Sequence, residues 1–517
     1  MDHSLEKLAL HDDLAGYEVS AWERGLKCID SILQPGSATL DALSEEQRSG
    51  LQSLKAIMLS GDREENIVNF IPQALLDADT RSSTILMANY AGYTPPIDAM
   101  AAMSKVLLAH KGAMKLKKIA RESLRSKSMV MEQIQKVTLP DAWNRLDIDS
   151  KLQLRDLLSW DNISKWDFNI FDVDKILKGE NTLVFVSWAI LASPDAQYSM
   201  DMACAEIFHE DIEVDSILER EGYNFVSSLQ VNETTLIEFL KAIEKKYNSD
   251  VKYHNHVHAA DVTQSLHAIC QMGGQHFTQE KIELFAVFIA SIVHDVGHNG
   301  LNNTYHINSR SDLALMYNDV SVLENMHVAT VFKMLLGDSR ERRLDIFENF
   351  VEEDTEKVRK LIIKAVLSTD MTKHFAKLNS IKGIIMGSDN VNKLITHDLP
   401  EDFNSRTDLL TFTMHMADIS NPSKDIRIAT KWTDRILEEC FMQGDLEEST
   451  GLPISPLCDR HTTNRPRSQI GFINFIVLPS FELLGEVIPR VATEVVPRLR
   501  QNLKYWQELD ILKSGKE

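Results

Sequence analysis

Cysteine is scarce: Cys28, Cys204, Cys270, Cys440 and Cys458 are five widely spaced residues in a chain of 517. So few, and an odd number, exclude a disulfide framework and fit the reduced thiols of a soluble, cytoplasmic protein. Positive charge is also short, with 55 Lys and Arg against 76 Asp and Glu and a formal net charge of -21. That balance excludes a general nucleic-acid or anionic-membrane surface, but not a small anionic substrate held by metals. Long apolar runs are missing too. The longest, near Leu284 to Val293 and Leu183 to Ala192, fall well short of the roughly 20 residues of a transmembrane helix. No basic-then-apolar leader opens the chain at Met1-Asp2-His3, so no membrane segment is expected.

What is present is helical periodicity. Strand-like runs are short and isolated, whereas apolar residues recur at helical spacing through Leu236 to Tyr247, Ile282 to Val293, Val358 to Leu367, Asp408 to Met416 and Ile426 to Phe441. The expected fold is all-α. Residues 1–155 read as a helical N-terminal region with turns at Ser60-Gly61-Asp62 and Thr94-Pro95-Pro96, without repeats or a chemical motif. Residues 156–512, denser in apolar residues from Trp160 onward, read as a second, larger helical domain. The N-terminal region leaves three roles open: a homodimer interface, a regulatory site or a helical collar.

One N-terminal segment stands apart. Between Lys105 and Lys127 lie Lys105, Lys111, Lys115, Lys117, Lys118, Arg121, Arg125 and Lys127, opposed only by Glu122 and interleaved with apolar residues. This composition suits a solvated helix face packed on its own acidic domain first, and after it a basic amphipathic helix of the kind that calmodulin or a membrane surface binds, or one that makes an autoinhibitory contact. Gly112 in its middle weakens a long helix.

The chemistry gathers around Ile292-Val293-His294-Asp295-Val296-Gly297-His298, which follows the apolar run Leu284 to Ala290. Imidazole and carboxylate groups at the end of a buried helix suit a divalent cation, because folding has already gathered the ligands. Upstream, Tyr253-His254-Asn255-His256-Val257-His258 holds three histidines in five residues. If helical, it sets His254 and His258 on one face, one to ligate a metal and the other to act one turn away. Downstream, Asp418 lies in an apolar helix that stops at Pro422. A buried carboxylate there is a metal ligand, a cap or half of an ion pair. Together His258, His294, Asp295 and Asp418 make a nitrogen and oxygen set suited to zinc. The second oxygen of Asp295 is available to bridge to a harder ion such as magnesium, with His298 one turn on to orient a water.

In order, the runs Tyr253-His254-Asn255, His258-Ala259, His294-Asp295, His298, Gly300, Asn303, Leu323-Glu324-Asn325, Thr369-Asp370-Met371, Ala417 to Pro422 and Gln469-Ile470-Gly471-Phe472 resemble the catalytic domain of class I cyclic-nucleotide phosphodiesterases. The similarity extends more weakly from about Trp166 to about Trp506. The resemblance implies hydrolysis of 3',5'-cyclic nucleotides to 5'-monophosphates at a binuclear site with a bridging hydroxide, ending a cyclic-nucleotide signal. It implies zinc on His258, His294, Asp295 and Asp418, and magnesium, or manganese in its place, at Asp295 with waters supported by His298 and Thr369. It further implies His254 as the acid that protonates the leaving ribose oxygen, paired to Glu324. Tyr253, Asn421, Ile436, Gln469 and Phe472 would bind the substrate, Gln469 reading the purine edge and Phe472 stacking on the ring opposite Ile436.

The chain departs from the family pattern at Gly297, where an acid is common, at Met326, where a histidine is common, and at Ala429 and Cys440, where larger residues are common. Asn421-Pro422 resembles cAMP-preferring members, whereas Phe441-Met442-Gln443 and Gly451-Leu452-Pro453 resemble a cGMP-preferring branch. The expectation is cAMP in preference, with cGMP or dual use as the alternative. Two other readings compete: a metal phosphohydrolase acting on another phosphate ester, and an inactive calmodulin-binding scaffold. The Gln469 and Phe472 pair counts against the first, and the complete ligand set against the second.

Overall fold

The computed structural model describes residues 138–208, 221–336, 344–387 and 403–514. The chain divides into two compact units, 1–133 and 134–517, and every described residue lies in the second. This division falls earlier than the expected boundary at 155, and packing explains it. Trp143, Leu154 and Leu158 are buried in the same apolar cluster as the helices that follow. The basic segment 105–127 and most of the region 1–155 lie outside the described residues.

All regular structure among the described residues is helical, as the periodicity predicts. The helices of eight residues or more begin with α1 (Ile148–Leu157), α2 (Thr182–Leu191), α3 (Asp195–Phe208) and α4 (Glu233–Glu244). The centre is formed by α5 (His256–Met272), α6 (Lys281–Val293), α7 (Val322–Leu336) and α8 (Glu352–Leu367). Then come α9 (His374–Gly387), α10 (Phe403–Asp418) and the long α11 (Ile426–Ser449). The last are α12 (Arg465–Phe472), α13 (Leu478–Val487) and α14 (Val496–Ser514).

Helices α5 and α6 form the middle of the core. Every residue of α6 from Ile282 to Val293 is buried, and so is every residue of α5 except Gln271. A helix buried on all sides needs neighbours all round. For α5 these include α2, α6 and α10, and for α6 they include α8. The start of α5 is fixed by Asn255, whose side chain accepts from Val257 N, and its end by Gly273 at φ 135°. His254 therefore precedes the helix instead of riding on it, contrary to expectation.

The ends of α6 and α10 converge on the start of α5. Helix α6 closes directly onto His294, and α10 ends on Asp418, before the short turn Asn421–Ser423 that contains Pro422. A π-helical turn, Ile473–Val477, joins α12 to α13. The continuous stretch Arg465–Val487 is long and apolar enough, by length and composition, to cross a membrane. Here Ile473, Val477, Phe481 and Leu484 are fully buried within the domain.

Candidate active site

His258, His294, Asp295 and Asp418 come together as expected, each offering one ligand atom within 4.8 Å of the others. His258 Nε2 lies 3.1 Å from Asp418 Oδ1, 3.4 Å from His294 Nε2 and 3.5 Å from Asp295 Oδ2. His294 Nε2 lies 2.9 Å from Asp295 Oδ2 and 3.4 Å from Asp418 Oδ1. Donors held about 2.1 Å from one ion stand about 3.0–3.4 Å apart in tetrahedral or octahedral arrangement. The four side chains therefore fit a divalent cation. His294 Nδ1 donates to Ser291 O at 2.8 Å, which turns its Nε2 toward the cluster.

The electrostatics agree. Burial works against a charged His294, yet the Asp295 and Asp418 carboxylates outweigh it and hold the ring well above its ordinary value. Burial would raise both carboxyls, but the neighbouring imidazoles hold Asp295 and Asp418 well below the carboxylate range. Two buried carboxylates kept ionised call for positive charge, which a cation supplies more fully than a shared proton.

Asp295 has a second side. Its Oδ1 lies 3.7 Å from His327 Nε2, and His327 Nδ1 donates to Val296 O at 2.8 Å. Burial holds the His327 ring down to about 4, so its Nε2 is a lone pair facing a carboxylate oxygen. Asp295 thus presents Oδ2 to the four-residue cluster and Oδ1 to the neutral His327 ring.

Beside these groups stands His254. Its Nδ1 meets Glu439 Oε1 at 2.5 Å, while Glu439 Oε2 accepts from the backbone N–H groups of Tyr253 at 2.7 Å and His254 at 3.1 Å. Burial alone would lower the His254 ring, but the charge and hydrogen bond of Glu439 raise it to about 9. Burial would raise Glu439, and His254 draws it down to about 2. His298 stacks on His254 with ring centroids 4.2 Å apart. Its Nδ1 accepts from Gly300 N at 3.0 Å, and burial together with the charge on His254 keeps it neutral, well below its ordinary value.

Residues 253–497 match the family described as 3'5'-cyclic nucleotide phosphodiesterase. These residues belong to that family. The phosphodiesterase domain is 38% identical over 284 residues to the 3',5'-cyclic-AMP phosphodiesterase 4C of Mus musculus, covering 55% of this chain and 40% of that protein. It is 36% identical over 289 residues to the 3',5'-cyclic-AMP phosphodiesterase, isoform F, of Drosophila melanogaster, covering 56% and 43%. The chain thus spans about half the length, or less, of these curated relatives. Among solved structures, the phosphodiesterase domain of the Salpingoeca rosetta rhodopsin phosphodiesterase aligns with TM-score 0.56 at 27% identity, covering 70% of this chain and 96% of that one. The family is metal-dependent, in keeping with the His and Asp cluster.

One expected pairing in this domain is corrected: His254 is held by Glu439 of α11, not by Glu324. Glu324, on α7, accepts from Asn303 Nδ2 at 3.0 and 3.2 Å, and burial raises it to about 7, with Asp370 and Asp295 adding to the rise. It stands on the Asp295 side of the site. Thr369 is buried, and its hydroxyl donates to Val366 O at 2.8 Å. Tyr253 OH donates to Asn421 Oδ1. Gln469 is buried and Phe472 and Ile436 are half-buried, with α12 tied to α11 through Arg465 and Asp434 at 2.6 Å. The departures at 297 and 326 are neighbours. Gly297 adopts φ +80°, and Met326 Sδ lies 3.5 Å from where a Cβ at 297 would stand. The expectation missed His327, although it follows Met326 in the same motif, and Glu439.

Proposed function

We propose that this domain hydrolyses 3',5'-cyclic nucleotides to 5'-monophosphates, cAMP in preference to cGMP. The observation that carries the proposal is the adjacency of two clusters of different chemistry. Four cation ligands lie beside a histidine held charged by a buried carboxylate.

His258, His294, Asp295 and Asp418 would hold zinc, and Asp295 Oδ1 with His327 would face magnesium or manganese. Bound there, the cations supply Lewis-acid activation of the phosphate and of the attacking water. His254 carries its proton on Nε2 toward the departing ribose 3'-oxygen, which as an alkoxide is a poor leaving group. Such a donor contributes about 100- to 10,000-fold. Glu439 accepts from Nδ1 and keeps the ring charged and oriented. His298 and Thr369 would support waters of the second cation, with Glu324 of α7 and its partner Asn303 on the Asp295 side.

Tyr253, Asn421, Ile436, Gln469 and Phe472 form the proposed nucleoside side. The amides of Gln469 and Asn421 each offer an adjacent donor and acceptor, the pattern that adenine presents in complement. Phe472 and Ile436 supply apolar faces for the ring.

The reading is tested with purified protein. It should convert cAMP, and cGMP more slowly, to the 5'-monophosphate, lose activity with chelator and regain it with zinc and magnesium. Persistence of most of the rate in His254→Ala with full metal content would remove the assigned acid. We further propose a cytoplasmic setting, supported by the free thiols Cys204, Cys270, Cys440 and Cys458, to be checked by fractionation. The segment 105–127 is proposed to make a calcium-dependent or autoinhibitory contact. Deleting 100–130 should raise basal activity or abolish calmodulin binding.

A further inference from the structure

Asp261 lies on α5 one turn beyond His258 and is fully buried, yet it takes no part in the cation cluster. Its Oδ2 accepts from Asn421 Nδ2 at 2.8 Å, while its Oδ1, also buried, has no hydrogen-bond partner among the described residues. Burial raises the Asp261 carboxyl from its ordinary value, and the charge of the buried Lys424 ammonium favours the ionised form against that rise, although Lys424 itself donates to Trp166 O at 2.8 Å and Gln264 Oε1 at 3.2 Å. A buried carboxylate with one hydrogen bond is a poor way to stabilise a core. Its one hydrogen bond goes to a residue of the proposed nucleoside side.

That bond has a directional consequence. A side-chain amide turned end for end keeps nearly the same shape, so only its partners decide which end is which. Tyr253 OH now donates to Asn421 Oδ1, but a hydroxyl would equally accept from Nδ2 if the amide turned. An ionised carboxylate cannot donate. Turning the amide would set Asn421 Oδ1 against Asp261 Oδ2, two acceptors at contact distance. Asp261 therefore dictates the sense of the amide, and Tyr253 follows.

We propose that Asp261 is a positioning residue for nucleobase selectivity: it locks the Asn421 amide in one sense and thereby favours adenine over guanine. The inference rests on the cyclic-nucleotide reading of the site. Adenine presents an acceptor and a donor side by side, N7 and the N6 amino group, where guanine presents two acceptors, N7 and O6. A fixed amide keeps its oxygen where guanine would bring a second oxygen; a turning amide can offer its N–H instead. No hydrogen bond among the described residues fixes the amide of Gln469, so Asn421 carries the discrimination.

The test is Asp261→Asn, which keeps the shape but can pair with Asn421 in either sense. The readouts are kcat/KM for cAMP and cGMP, calorimetric affinity for 5'-AMP and 5'-GMP, and zinc content. The cAMP-to-cGMP ratio should fall about tenfold, the size of one discriminating base contact, with a parallel fall in the mononucleotide affinity ratio and unchanged zinc. In an Asn421→Ala background Asp261→Asn should leave both ratios where they are. An equal loss for both nucleotides, or a shift that persists without Asn421, overturns the proposal in favour of a structural carboxylate. A wild-type protein that cleaves neither cyclic nucleotide would refute the activity, and the mononucleotide ratio would still decide the role of Asp261. If Asp261→Asn does not fold, Asp261→Ser makes the same comparison, since its hydroxyl also pairs in both senses.

Discussion

Glu439 reaches His254 from a helix that begins more than 170 residues later in the chain, and its carboxylate takes both the ring Nδ1 and the backbone N–H groups of residues 253 and 254. Position and charge of the proposed acid therefore have one source. The charged ring is the donor form, present below about pH 9 and lost as pH rises through that value. The same raised value stabilises the fold fully below the ordinary value of 6.5, and that contribution is lost as pH rises through about 9.

Glu439→Gln should separate the two functions. The amide oxygen can still take the backbone N–H groups, but its NH2 then faces Nδ1 and forces a neutral ring with the proton on Nε2. We expect kcat to fall about 100- to 10,000-fold, and the alkaline limb of the rate profile to move well below pH 9. An unmoved limb measured by kcat against pH would argue against the pairing.

Glu324→Gln supplies the opposite control. Since Glu324 bonds Asn303 and stands near Asp295, its loss should leave the alkaline limb in place. The effect should appear instead in the concentration of magnesium or manganese giving half-maximal rate, read from a metal titration.

Removing the metal should lower stability as well as activity, because His258, His294, Asp295 and Asp418 are gathered within 4.8 Å and ions that bind only the folded state stabilise it. Chelation should reduce the melting temperature by several degrees, and zinc should restore it. Asp418→Asn should show the lower melting temperature with little response to zinc.

Gly444→Ala is expected to be costly. A Cβ at 444 would stand 2.0 Å from the Cys458 carbonyl oxygen and 2.7 Å from its carbon, so backbone has to move. Destabilisation of about 2–3 kcal/mol should appear in urea unfolding. The loop concerned leads into α12, so KM should rise more than kcat falls.

The sequence made the cation ligands legible because each sits at a marked boundary: His294 where an apolar helix stops, Asp418 before a proline turn, His258 in a histidine-rich start. Glu439 carries no such mark. It sits in Ile-Leu-Glu-Glu-Cys on an amphipathic helix, next to the exposed Glu438, and periodicity cannot tell which of two adjacent acids turns inward to a distant histidine. The offset of His254 from α5 was readable in principle, since Asn255 is a strong N-cap residue. Asp261 carries no mark in the sequence, and only its burial and single partner set it apart. The all-α fold followed from period alone, whereas the boundary at 133 depended on long-range burial of Trp143 and Leu154 that composition does not display.

Helix α11 and the turn before α5 hold the acid, while α5, the end of α6 and the end of α10 hold the cation ligands. The two halves of the chemistry are thus anchored by hydrogen bonds that do not pass through one another. A protein emptied of its ions should keep its acid in place, ready when metal returns. Loss and reloading of metal would then be a reversible exchange on a standing scaffold, with activity following metal supply without refolding.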